Sequence, residues 1–194
     1  MKARILMLFC GLMLSSTVFA DISYNYVEFG YSAVSVDVAA PLDGDGTGPR
    51  IFVSHELMGP FTAFAGFRRT DFSDDAFELD DVTLGLGWHH SLGKNASVFF
   101  DVAYLHTDIN PDGSSSFDQD GYGMTLGYRA ENQSPWEFIG TIDYVNVESG
   151  VEFGGGISLL YDVTRRFSVS GGVSYFDQST MAHLGARYGF TRKN

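Results

Sequence analysis

Three sets of residues in this 194-residue chain have the types and spacing to do chemistry. In the first, Gly87-Trp88-His89-His90-Ser91-Leu92-Gly93, an imidazole stands two residues from a hydroxyl. A serine becomes a nucleophile when a base is in reach and a carboxylate orients that base. No acid falls at a spacing that completes such a set here, so an interfacial histidine pair is the simpler reading. The second set is acidic and lies in "PLDGDGTG", "DFSDDAFELDD" and "NPDGSSSFDQD". Calcium takes several oxygen ligands, and "DGDG" hints at one of its loops. The bidentate glutamate expected at position twelve, counting Asp43 as the first, is absent, because Ser54 stands there. These segments therefore read as hydrated acidic loops with no built metal site. A hydrolytic site of acids and histidines at the loops would have to draw on His106 and His183. The third set is Glu28, Glu56, Asp101 and Asp143 with Arg68, Arg129 and Arg187, and with His89 and His183 nearby. These charges lie singly among small and apolar residues, so what they do depends on the elements that hold them.

Those elements are strands. Val82, Leu84, Leu86 and Trp88 alternate with Thr83, Gly85, Gly87 and His89, and Val98, Phe100, Val102 and Tyr104 continue the alternation after a short turn. A period of two is the mark of a strand. The pattern predicts ten, near 22–38, 49–57, 61–70, 79–91, 96–108, 120–130, 136–148, 151–162, 166–177 and 181–191. Short connections ("MGP", "LGKN", "ENQSP", "VTRR") alternate with mostly longer, acidic ones. Short turns at one end and longer loops at the other is the layout of an outer-membrane barrel.

Composition narrows the setting. "MKARILMLFCGLMLSSTVFA" has two basic residues, an apolar run and a small-residue end, which predicts a secretory signal peptide over residues 1–20, cut after Ala20. Cys10 sits too early in the run, behind bulky Phe9, for a lipoprotein signal. Cleavage leaves one domain, residues 21–194, with no cysteine. Losing Lys2 and Arg4 takes the 12 basic residues to 10 against 24 acidic, a net charge of −14. That excludes nucleic acid as a partner, since its backbone needs a basic surface. After the signal no segment reaches the roughly 18 apolar residues of a membrane helix. A membrane-embedded chain of this kind must be a closed barrel, in which every backbone group pairs within the protein.

The two faces settle which side meets lipid. One face carries Phe29, Tyr31, Leu84, Leu86, Val102, Leu126, Ile142, Ile157, Val173 and Leu184. Toward the strand ends it carries aromatics: Trp88, Tyr128, Trp136, Tyr161 and Tyr188 near the short turns, and Tyr104, Tyr122, Tyr144 and Tyr175 near the loops. Two aromatic belts around an aliphatic band fit a membrane interface. The other face is small, hydroxylated or charged, a poor core but a suitable narrow lumen. The expected fold is thus all-β: a single antiparallel transmembrane β-barrel of about ten strands, with eight as the alternative. Inside it, Glu28, Glu56, Arg68, Asp101, Arg129, Asp143 and Arg187 should form a structural charge network, because an isolated buried ion is expensive. Glu28 on the first strand and Arg187 on the last should meet across the closing seam.

"ISYNYVEFGYSAVSVD", "VTLGLGWHHSL" and "HLGARYGF" resemble small proteobacterial outer-membrane β-barrel proteins, the OmpA-like barrels. The resemblance covers essentially the whole mature chain and is one of pattern, with "SYNYVEFGY" its most specific part. It implies an integral outer-membrane protein and supplies no catalytic residues or cofactor. It also implies contact with the barrel-assembly machinery, which reads a terminal aromatic; here Phe190 is followed by "TRKN". The His89–Ser91 spacing is similar to the His-x-Ser pair of outer-membrane lipid-A deacylases, but it falls beside the short turn "LGKN", away from the outer leaflet. The sequence therefore predicts a non-enzymatic, monomeric, porin-like protein in contact with outer-membrane lipid and lipopolysaccharide. It would support envelope integrity or surface interaction through acidic loops. A narrow channel is the alternative, and a lipid-A-modifying or proteolytic enzyme is the less favoured one.

Overall fold

A computed structural model describes residues 22–37, 44–72, 77–111, 115–131, 135–148 and 150–190. The expected signal peptide and the terminal "TRKN" lie outside these residues. The strands are β1 (Tyr26–Val36), β2 (Gly44–Glu56), β3 (Phe61–Phe72), β4 (Phe77–Ser91), β5 (Ala96–Pro111), β6 (Phe117–Glu131), β7 (Trp136–Val147), β8 (Gly150–Asp162), β9 (Phe167–Phe176) and β10 (Ser179–Gly189). Each pairs antiparallel with its chain neighbours, and β1 closes on β10. The sheet has no free edge, as lipid demands of a spanning sheet. The strand number is ten, not eight.

Two boundaries differ from the sequence expectation by more than three residues. β2 starts five residues earlier, at Gly44, so "GDGTG" is strand and not loop. Pairing with β1 imposes this, through Val34↔Gly46 and Val36↔Gly44. Tertiary pairing overrides weak local propensity. It also rules out a calcium loop there, because Ser54 is a buried residue of the same strand. β1 starts four residues later, at Tyr26. Ile22, Tyr24 and Asn25 leave the ladder and are buried.

The apolar face is outside. Leu86 is 63% exposed, Ile142 68% and Leu184 73%, each in mid-strand. Water would not tolerate so continuous an apolar surface on a monomer, and lipid does. Trp136 meets Tyr161 edge-on at 4.9 Å near the short turns, and Tyr122 and Tyr144 lie 6.1 Å apart near the loops.

The lumen is less polar than the sequence suggests. Phe52, Phe64, Phe99 and Phe176 share the inward parity of the glycines. Each of three wall glycines makes room for a ring: an added Cβ would stand 2.1 Å from Phe64 at Gly85, 2.1 Å from Phe99 at Gly127 and 2.4 Å from Phe176 at Gly154. Glycine here is a seat for phenyl rings lying against the wall. Toward the loops, Phe72, Phe77 and Ile109 form a small apolar core with Val36 and Leu79. We expect Gly127→Ala to cost about 1–3 kcal/mol by overpacking Phe99, and Phe99→Leu to restore part of it. Urea unfolding in lipid vesicles measures both. A neutral Gly127→Ala would mean that the ring has room to move.

Candidate functional site

The inward charges divide into clusters at different heights, two of which approach each other where Arg187 Nη1 lies 4.0 Å from Glu137 Oε1. At the short-turn end the N-terminal segment folds into the mouth of the barrel. The Tyr24 amide donates to Glu56 Oε1 at 2.9 Å and Asn25 Nδ2 donates to Oε2 at 2.7 Å. The Glu56 amide returns a bond to Asn25 Oδ1 at 2.9 Å. The Tyr24 ring stacks on His89 with centroids 4.3 Å apart, and its hydroxyl lies 2.9 Å from Ser97 Oγ. The Arg129 guanidinium also stands over the ring, 4.9 Å from the centroid, and Arg129 Nη1 donates to the Ser23 carbonyl at 3.0 Å. Arg129 pairs with Glu137 through Nε; the two side chains are 3% and 1% exposed. Around them Ser54, Thr62, Ser97, Leu160 and Ser168 are also buried. This end of the lumen is stoppered.

Higher up, the register sets Glu28 opposite Arg187 across the β1–β10 seam. Arg187 Nη2 lies 2.8 Å from Glu28 Oε2, and Arg50 Nη2 lies 3.2 Å from Oε1, so one carboxylate serves two guanidiniums. Arg68 binds Asp81 Oδ2 through Nε at 2.9 Å and Nη2 at 2.5 Å, and Thr107 donates to Asp81 Oδ1 at 2.7 Å. Asp143 accepts from Thr125 at 2.6 Å and Thr141 at 2.9 Å. Asp101 stands against Gly87, where any Cβ would crowd its Oδ1. Of the seven charges expected to form one network, only Glu28 and Arg187 pair with each other. Glu56 holds the N-terminal segment, and Arg68 and Arg129 take acids outside that set.

Arg50, Asp81 and Glu137 were missed, although the signal existed. Arg50 has the parity of Ser54 and Glu56, Asp81 that of Thr83, and Glu137 that of Thr141 and Asp143. Each lies one or two residues inside the start of a predicted strand, where the parity of the inward set already reaches it.

Among the described residues the catalytic alternatives find no geometry. His89 points into the lumen against Tyr24 with Nε2 unbonded, and His90 stacks on Trp88 at 5.9 Å. No carboxylate orients His89 toward Ser91 among the described residues. His106 is on the outer wall and His183 in the lumen, so they face opposite sides of the sheet and share no site.

Outside, beyond the tyrosine belt, the ladder sets His106 opposite Asp120 and Asp108 opposite Asp118. His106 Nδ1 lies 2.8 Å from Asp120 Oδ1, which also accepts from the Tyr104 hydroxyl. Donor atoms of His106, Asp118 and Asp120 lie within 4.8 Å of one another, all on exposed side chains or partly so. Arg69 and Asp80 pair beside them at 2.5 Å. The hydrogen bonds from Tyr104 and then His106 hold Asp120 below the usual carboxylate range, and the bond to Asp120 raises His106 above 6.5. A raised folded value gives stability that is full below about pH 6.5 and fades as pH rises through the folded value. Asp120, held low, contributes above its ordinary range and loses this as pH falls through its folded value. We expect His106 in the refolded protein to titrate above a free imidazole in NMR, and Asp120→Asn to bring the midpoint down. A wild-type midpoint at or below that of free imidazole would overturn the pairing.

No family model matches the chain, and no curated protein does. Solved structures do match in fold. The KdgM porin in complex with disordered oligogalacturonate is 13% identical, with 86% of this chain and 99% of that one covered and a TM-score of 0.50. Neisserial surface protein A is 13% identical over 87% of this chain and 98% of that one, with a TM-score of 0.49. The translocator domain of the autotransporter NalP from Neisseria meningitidis is 12% identical over 97% and 94%, with a TM-score of 0.48. The chain has the outer-membrane β-barrel fold, and nothing in these likenesses narrows it to the OmpA-like group.

Proposed function

We propose that this protein is a non-enzymatic integral component of the outer membrane, a barrel stoppered at its periplasmic end that presents an acidic rim outside. The observation that carries the reading is Tyr24, packed against both His89 and Arg129 beside the buried Arg129–Glu137 pair. A stopper with this many hydrogen bonds suits a barrel that seals the membrane. The protein works as a monomer, with lipopolysaccharide against the apolar belt and the acidic rim above it. It reaches the membrane by signal-peptide export and the barrel-assembly machinery. The rim of Asp80, Asp108, Asp118 and Asp120 carries its contribution to envelope integrity or surface interaction.

The likeness to a porin supports a second reading, a narrow channel. Planar-bilayer recording separates the two. We expect the wild-type protein to be silent and Tyr24→Ala/Asn25→Ala to conduct in steps. Stepwise conductance from the wild type would replace the sealed-barrel reading with the channel.

A further inference from the structure

The upper lumen holds a cavity of about 270 Å³ whose lining includes Arg50, Arg68, Phe52, Phe176 and Met181. Its charge is unlike that of the rest of the molecule. In a chain of net charge −12, the charged side chains of this lining are Arg50, Arg68 and Asp81, one positive charge in excess, and Glu28 below it is shared between Arg50 and Arg187. Arg50 and Arg68 face each other across the β2–β3 ladder, a like-charge pairing that costs stability. The acids Asp101 and Asp143 belong to the β5 and β7 wall and do not line the cavity.

The arginines also have donors to spare. Arg50 makes one bond to Glu28, at 3.2 Å. Arg68 gives Nε and Nη2 to Asp81, while its Nη1 points across the cavity at Met181 Sδ, 2.7 Å away. A thioether is a weak acceptor. A guanidinium fork is complementary to a planar carboxylate, which accepts two parallel bonds. Phe52, Phe176 and Met181 offer an apolar surface to whatever the carboxylate is attached to.

We propose that this cavity binds a small carboxylate with an apolar body, its oxygens on Arg50 and Arg68 in place of the Met181 contact and its body against Phe52 and Phe176. The site is independent of whether the barrel conducts.

The test uses the refolded full mature chain in detergent and isothermal titration at low salt, with benzoate as probe. Benzyl alcohol and benzylammonium serve as neutral and cationic isosteres, and they also report partition into the micelle. We expect saturable heat with benzoate only, weakened at least tenfold in Arg50→Gln/Arg68→Gln/Asp81→Asn, which removes the acid of the second pair together with its base. Heat-modifiable gel migration checks that this variant is folded. Should it fail that check, the wild type still decides, because inorganic phosphate should compete with benzoate and sodium chloride at 0.5 M (roughly a 4 Å screening length) should weaken it. Benzoate binding no tighter than that of benzyl alcohol, or a folded variant that binds as the wild type does, overturns the proposal.

Discussion

Glu137→Leu should destabilise the folded barrel by about 3–5 kcal/mol, because it leaves Arg129 buried beside Tyr24 without its carboxylate. The Ser23 carbonyl remains as a partner, but a neutral acceptor offsets only part of a buried positive charge. Replacing both ions, as Arg129→Met/Glu137→Leu, should cost much less than Glu137→Leu alone, because well-packed apolar residues need no compensation there. Arg187, whose Nη1 lies 4.0 Å from Glu137, is the next cation in line. Arg129→Met alone should therefore cost less than Glu137→Leu, since Arg187 can take over the stranded carboxylate. Urea unfolding in phospholipid vesicles gives all three values, and their cycle gives the coupling. If the singles and the double add, the ions act independently and the stopper is not seated on them.

Leu86→Arg should cost about 2–4 kcal/mol near the bilayer midplane. Leu86 lies in mid-strand on the outer face, opposite Ala63 on β3 and Val102 on β5. Its ladder neighbours on that face are apolar and offer a guanidinium no carboxylate. The cost should shrink for the same change nearer a belt, as at Tyr128→Arg beside the short turn. Refolding yield and unfolding midpoint in vesicles measure the gradient. Equal stability of Leu86→Arg and the wild type would place this face in water and undo the transmembrane reading.

The sequence by itself determined the fold class and the face each residue takes, because both follow from local alternation and turn chemistry; it favoured ten strands over eight, and closure of β1 on β10 decided for ten. Val82 to Trp88 alternates whatever its neighbours are, and a one-residue slip would put that whole set in the lumen. It also determined that Glu28 and Arg187 share the inner face of the two closing strands. Only the tertiary structure decided what each inward charge meets. Glu137 pairs with Arg129 and Asp81 with Arg68 because of the register between neighbouring strands, and one strand's own pattern does not contain that register. The fate of Ile22–Asn25 was likewise outside local reach. The segment reads as strand, yet it turns into the mouth because Glu56, His89, Ser97 and Arg129, spread over four strands, together satisfy it better than a ladder could. The aromatic filling of the lumen has the same origin. Gly85 and Gly127 look like relief of crowding in sequence, but Phe64 and Phe99, each on a neighbouring strand, show what the space is for.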